Sequence, residues 1–468
     1  MTAAHECRQR FQRSVSGVSG LSRCIPESPD SPYARMSTLN PPEPVLAIAR
    51  RLEEAGYEAW CVGGAVRDAI LGHPHLDWDL ATSATPDQVR EIFGKRRTIP
   101  VGIQFGTVGV LDGQGTLHEV TTFRRDIKTD GRHAEVEFGA TLNEDLARRD
   151  FTINAIAYSP SRDELRDPFR GREDLAGRLV RAVGNAESRM SEDRLRALRA
   201  IRFAARFGFA IENATLAAIE TSAPYMSRLS PERVKQELEK TMEQVERPGR
   251  ALALWRDTGV LATVIPSLAK VSDETLAAVD LLPRPGLGAK PYRLFARVAA
   301  LFVGLGEAES RRALTELRFP KVEIRRAADF AAVWSEIGAT IGRAIASHEP
   351  PADIDVRRWV ATIGRLDIAP FMRIASATLI ASHPNDATLE RGMRALYRRM
   401  LETARNDPIE IADLAIDGDD LHRAGIPPGP MIGKILKALL DQVLADPSRN
   451  TQDWLLRRAQ SLAQSAER

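Results

Sequence analysis

The chain has 468 residues, a length that predicts roughly three domains at about 150 residues each. Lys and Arg number 65 against 63 Asp and Glu, a net charge of +2, so any phosphate binding must come from a local patch rather than a global excess. The three cysteines, Cys7, Cys24 and Cys61, have neither metal-ligand spacing nor a paired framework, which argues against a disulfide scaffold and for a reducing, cytoplasmic setting. No apolar run approaches the roughly 18–20 residues that span a bilayer.

Residues 1–40 include "SVSGVSGLSRCIPESPDSP", rich in Ser, Gly and Pro and without an apolar period, and are expected to form a disordered tail, with Met36 an alternative start. Residues 41–183 mix two periodicities. "VLAIARRLEEAG" is an amphipathic helix, "EAWCVGG" a short strand entering a glycine turn, and "AVRDAILG" a helix closed by Gly72. "LDWDLAT" is strand-like, "PDQVREIFG" is a proline-started helix, and "FGTVGVLDG" with "TLHEVTTFR" forms a hairpin around Asp112-Gly113. From Gly184 onward helical patterns follow one another and no strand stands out. The expected fold is an α+β head with a mixed or antiparallel sheet, then an all-α neck (184–250), body and tail (251–468).

In "LDWDLAT" strand alternation puts Asp77 and Asp79 on one face and Trp78 on the other. Two adjacent carboxylates repel unless a cation lies between them. Magnesium suits them, because it takes oxygen ligands and keeps positions open for phosphate oxygens. The pair therefore supports two-metal chemistry, and Glu119 in "LHEVT" is the candidate third acid. Upstream, Gly63 and Gly64 let backbone N–H groups approach a triphosphate, and Arg67 is one helical turn further on. In "EDRLRALRAIRFAARFG", Glu192, Arg196, Arg199, Arg202 and Arg206 fall within an arc of roughly 120°, with Leu198, Ile201 and Ala205 across from them. Arginines at that spacing repel each other, which points to an anionic ligand. His73 and His75 are read as loop surface, so no histidine base is expected.

Several stretches in order, "VGGAVRDAILGHPHLDWDLAT", "EVTTFRRD", "DLARRDFTINAIAYSP", "DPFRGREDL", "SEDRLRALRAIRFAARFGF" and "PERVKQELEK", resemble the nucleotidyltransferase superfamily of the DNA polymerase beta type. Within it the chain is similar to the class II tRNA nucleotidyltransferase and bacterial poly(A) polymerase family, over nearly everything after about residue 44. The resemblance implies that Asp77 and Asp79 hold the metal, with Glu119 completing the catalytic acids. It implies nucleotide contacts from Gly64, Arg67, Arg149, Arg199 and Arg202, and a base-reading pair, Asp193 and Arg196. An aspartate accepting from an exocyclic amine and an arginine donating to a ring nitrogen admit cytosine and adenine and reject uracil and guanine.

The implied activity is addition of C, C and A to the 3′ end of tRNA from CTP and ATP, with magnesium and without a nucleic-acid template. "RRDIKTDGRHAEVEFG" resembles the flexible loop of members that add all three nucleotides, and "IDGDDLHRAGIPPGPMIGKILKALLDQVL" their C-terminal segment, where Lys434 and Lys437 suit a tRNA backbone. A poly(A) polymerase shares the head motifs and is the alternative. A non-catalytic RNA-binding homologue conflicts with the intact Asp77, Asp79 and Arg196, and a fused phosphohydrolase with the lack of a His-Asp pair in the C-terminal half.

Overall fold

The structure, a computed structural model, describes residues 39–73, 77–129, 134–285, 290–347 and 349–466. Helix α1 (Glu43–Glu54) buries Val45, Ile48, Ala49 and Leu52, the one-sided stripe that its sequence period predicts. Strand β1 (Ala59–Val62) ends at Gly63, whose φ of 76° is open to glycine at no steric cost, and α2 (Gly64–Ile70) starts there. Strand β2 (Asp79–Thr82) leads into α3 (Pro86–Phe93), where Thr85 and Gln88 form a reciprocal capping box. Then come β3 (Thr98–Gly102), β4 (Thr107–Leu111) and β5 (Leu117–Thr122). The ribbon β6 (Arg124–Thr129) and β7 (Ala134–Phe138) precedes α4 (Leu142–Ala147), β8 (Ala157–Ser159), β9 (Glu164–Arg166), α5 (Gly171–Ala176) and β10 (Leu179–Val180).

The main sheet has the order β3-β4-β5-β2-β1-β8-β9, and only β2 and β5 run parallel. The mixed sheet and the hairpin at Asp112 agree with the sequence reading, and Asp112 fastens that turn by accepting from the Gln114 and Thr116 N–H groups. β3 was not foreseen. Its Pro100 is tolerated because β3 is an edge strand. The loop reading centred on Gly131 lies outside the described residues, although its flanks form β6 and β7.

After β10 come α6 (Ala186–Glu192), α7 (Leu195–Phe207), β11 (Ala210–Ile211), α8 (Asn213–Ser222) and α9 (Pro231–Gln244), and helices continue to Ala466. Two expectations are corrected here. A strand does occur after Gly184: β11 pairs in parallel with β10, but two residues are too few to show a period. The segment read as one helix from Glu192 is broken at Asp193 and Arg194. Asp193 is extended, and its Oδ1 accepts from the Leu195 N–H at 3.1 Å, a local bond that competes with the helix.

One apolar core runs from α1 across one face of the sheet into α7, through Leu198, Ile201 and Phe203, and on into the body helices. A smaller cluster on the other sheet face joins Trp60, Val62, Ala81 and Phe123 to Leu142 and Leu146 of α4. A separate cluster from Leu414 to Ala459 holds the tail together. Among the described residues no helix is long and apolar enough to cross a membrane.

Candidate active site

The strand register assembles the acids. Asp79 opens β2 opposite Val62 of β1. Leu80 pairs with Val120 in the parallel β2–β5 ladder, so Asp79 stands beside Glu119, one position earlier on both strands. Glu119 in turn faces Gly109, and Gly109 faces Ile99. Cross-strand partners share a face, so Val62, Asp79, Glu119, Gly109 and Ile99 form one row. The small apolar cluster covers its Val62 end. Glu119 and Ile99 are exposed, while Leu80, Val120 and Trp78 are buried on the opposite side. Trp78 is buried as the alternation predicts, but the strand begins only at Asp79, so exposed Asp77 precedes it and is not fixed to the same face by the ladder. Burial first, and then the charge of Asp79, push the Cys61 thiol up to about 12.

Among the described residues no three His, Cys, Asp or Glu side chains stand close enough to enclose a metal ion by themselves. The donors at hand are carboxylate oxygens on an open sheet face. That set fits a hard divalent cation whose remaining positions are filled by water and substrate oxygens.

The glycine turn meets its arginine. A Cβ at Gly63 would lie 3.1 Å from Nη1 of Arg149, so that guanidinium rests directly against the turn. Arg149 Nη2 donates to Asp145 at 3.2 Å, and its buried Nε has no hydrogen-bond partner among the described residues. The structure thus brings Gly63 and Arg149 together, with Gly64 next in the chain at the start of α2.

Arg67 is placed differently from the expected phosphate contact. It is 3% exposed, with Nε on Asp68 at 2.7 Å, Nη1 on Asn154 Oδ1 at 2.5 Å, and the rings of Phe203 and Phe207 about its guanidinium. Burial pulls its pKa down, against the charge of Asp68. Arg206 of α7 reaches the same Asp68 at 3.2 Å. The cluster ties α2, the helix after the glycine turn, to α7 and leaves Arg67 no open side for a ligand.

The arginines of α7 are also answered from within. Arg196 donates to Glu192 at 2.6 Å and to the carbonyls of Arg189 and Arg148. Arg199 places Nε and Nη2 on Asp150 Oδ2 at 2.8 and 2.6 Å. Arg202 is buried against Glu237 and Gln244 of α9. The inference that this face needs an anion to relieve repulsion is therefore corrected: carboxylates of neighbouring elements already do so, and Arg202 turns inward. The Asp193 carboxylate accepts from Arg233 of α9 at 2.7 Å, and its carbonyl accepts from the Arg196 N–H at 3.0 Å. Burial pushes the Asp150 carboxyl up, but the Arg199 charge and hydrogen bonds from Asn154, Arg199 and the Phe151 N–H prevail and hold it below the usual range.

Asp150, Asn154, Arg233 and Glu237 were missed by reasoning that followed the arginines alone. Asp150 had a signal, as the acid beside Arg149 in "RRDF". His73 is exposed as expected, His75 lies outside the described residues, and Lys434 and Lys437 are exposed on the helix Pro430–Ala445.

A mixed sheet with an aspartate pair leading one strand, a third acid in register on its parallel neighbour and an arginine-backed glycine turn defines a nucleotidyltransferase. Residues 59–181 match the family model described as "Poly A polymerase head domain". Residues 208–271 match "Probable RNA and SrmB- binding site of polymerase A", and residues 387–459 match tRNA nucleotidyltransferase domain 2. The CCA-adding enzyme of Geobacillus thermodenitrificans is 36% identical over 432 residues, 90% of this chain and 99% of that protein. That of Latilactobacillus sakei is 35% identical over 88% of this chain and 96% of its own length. The crystal structure of the Bacillus stearothermophilus CCA-adding enzyme in complex with CTP is 32% identical, covers 90% of this chain and 98% of its own, and gives a TM-score of 0.70. The chain belongs to the CCA-adding enzyme family.

Proposed function

We propose that this chain adds C, C and A to the 3′ end of tRNA from CTP and ATP, reading each nucleotide with side chains instead of a template. The observation that carries the reading is the row of Asp79 and Glu119 on an open sheet face, in a head whose glycine turn is backed by Arg149. The 3′ oxygen of the RNA attacks the α-phosphorus, the bond from that phosphorus to the bridging oxygen breaks, and pyrophosphate leaves. Asp77 and Asp79, with Glu119, would hold a divalent cation, magnesium in this reading, which supplies polarisation of the hydroxyl and offsets phosphate charge. The hydroxyl proton passes to solvent, no dedicated base being assigned. Gly63 and Gly64 admit the triphosphate against Arg149, whose Nη1 rests beside the turn.

Asp193 and Arg196 read the base edge. Arg233 and Glu192 orient them, so a uracil or guanine edge meets a fixed mismatch. Arg199, one-third exposed, keeps an edge toward the nucleotide while Asp150 fixes its angle. Arg67 and Arg202 act through packing. Residues 41–183 serve as the catalytic head and 184–250 as the neck, and the tRNA lies along 251–468, where Lys434 and Lys437 are free of the core. With tRNA as substrate, the setting is the cytoplasm.

The test supplies tRNAs ending before CCA, after C and after CC, with each nucleoside triphosphate singly. The expected products are two C from CTP on the first tRNA, one C from CTP on the second and one A from ATP on the third, with no addition from UTP or GTP. Repeated A addition to any RNA end would instead make the chain a poly(A) polymerase, and no addition at all would leave the non-catalytic alternative.

A further inference from the structure

The cross-strand row does not stop at the acids. Beyond Glu119 it continues to Gly109 and Ile99, toward the sheet edge. A Cβ at Gly109 would lie 2.6 Å from Leu117 Cδ1 and 3.0 Å from Val101 Cγ2, so these two side chains close over the glycine on the face that carries Glu119. Ile99, Val101 and Leu117 are 43, 47 and 37% exposed, large values for aliphatic groups held on a sheet. On the same face Thr107 and Thr121 hydrogen-bond each other at 3.0 Å. The result is an aliphatic shelf running from the acid row to the edge strand.

We propose that this shelf seats the terminal nucleoside of the RNA acceptor, its base and sugar against Ile99, Val101 and Leu117, so that its 3′ hydroxyl falls at Glu119. The inference rests on the function proposed above. It is drawn from continuity: the reacting hydroxyl must reach the acids, and the shelf is the next surface along their row. It is drawn also from chemistry. The acceptor end changes at every step, from whatever base precedes CCA to C and then to C again. A subsite that hydrogen-bonded one base edge would penalise the others, whereas an aliphatic surface takes any base by its apolar face. Selection is then divided: the neck reads the incoming nucleotide, and the shelf holds the outgoing end without reading it. Gly109 permits this, because a Cβ there would force the Leu117 side chain to shift and crowd Val101.

The substitutions Val101→Ser and Leu117→Ser are made together, at exposed positions, and thermal unfolding is checked first. The affinity of wild type and double variant is measured for tRNA ending before CCA, and for the same tRNA with its terminal base removed and the sugar kept. Wild type is expected to lose about tenfold in affinity on removal of the base, and the variant at most about twofold. The variant's KM for tRNA is expected to rise by a similar factor at all three additions and with all four preceding bases, with kcat and the KM for CTP and ATP within about twofold of wild type. Equal losses on base removal in both proteins would overturn the proposal. So would a wild-type dimer that the variant cannot form, since the shelf would then seat a second copy. A change confined to the C-to-A choice with unaltered RNA affinity would assign the shelf to the β6–β7 ribbon and overturn it as well. Because affinity is read without turnover, failure of CCA addition in wild type is distinguishable from failure of the shelf.

Discussion

Asp150→Asn keeps the shape of the side chain and removes its charge, at a point where four donors converge. Oδ2 receives Nε and Nη2 of Arg199 at 2.8 and 2.6 Å, and Oδ1 receives Asn154 Nδ2 and the Phe151 N–H, both at 2.9 Å. No rotation of an amide suits that environment, because its NH2 group must face either the guanidinium or the Asn154 and Phe151 donors. Removing one member of a buried ion pair costs about 3–5 kcal/mol, and because Arg199 is 32% exposed the lower end, about 3 kcal/mol, is expected. A double-mutant cycle with Arg199→Met, followed by urea denaturation, is expected to return a coupling of about 2 kcal/mol. The pH dependence has a definite sign. The carboxyl is held below its ordinary value in the folded protein, so its contribution is complete above the unfolded pKa and disappears as pH falls through the folded one. The gap between wild type and variant is therefore flat near neutrality and narrows below about pH 4. A variant within 1 kcal/mol of wild type at neutral pH (about the error of the measurement), or a gap that widens in acid, would refute the reasoning.

Asp77→Asn and Asp79→Asn are each expected to reduce nucleotide transfer to background while tRNA affinity, measured by filter binding, stays close to wild type. Asp193→Ala and Arg196→Ala are expected to lose about tenfold to a hundredfold of the discrimination against UTP and GTP, read as relative kcat/KM on tRNA lacking CCA; loss of rate with selection intact would reduce the pair to a phosphate clamp. Arg297, 1% exposed, donates to the carbonyls of Met242, Val245, Glu246 and Leu282, and burial pulls it down to about 10. Arg297→Met strands those carbonyls and is expected to cost about 3 kcal/mol of stability by calorimetry, with nucleotide choice unaltered.

Local periodicity was enough to read the head as far as β5, β3 apart, because those elements are short and bounded by Gly and Pro. It identified Asp79 and Glu119 as partners although 40 residues separate them, since both interrupt strand-like runs. It did not reveal β3, whose exposed Ile99 and Val101 flank a proline and alternate with nothing. It also misjudged α7. A helical projection shows which residues share a face but not what lies opposite, and Asp68, Asp150 and Glu237 come from three elements far away in sequence. Arg202 was read as a nucleotide contact for the same reason, since Glu237 meets it only after folding; Arg67 is drawn inward by Asp68 beside it and by Asn154 and Phe203, which only folding brings near.

Those pairings give the neck a genetics of its own. Four arginines of one helix are each answered by an acid 4, 49, 35 or 138 residues distant in the chain. Silencing Asp68 therefore leaves a stranded cation on α7, and the lesion is felt a long way from where it was made. Second-site revertants of Asp150 or Glu237 alleles are expected to map to Arg199 and Arg202 respectively, whereas Asp68, shared by Arg67 and Arg206, has no single suppressor. Diverging lineages could then exchange such charges only in couples, so that a single helix keeps a ledger of changes made throughout the head and neck.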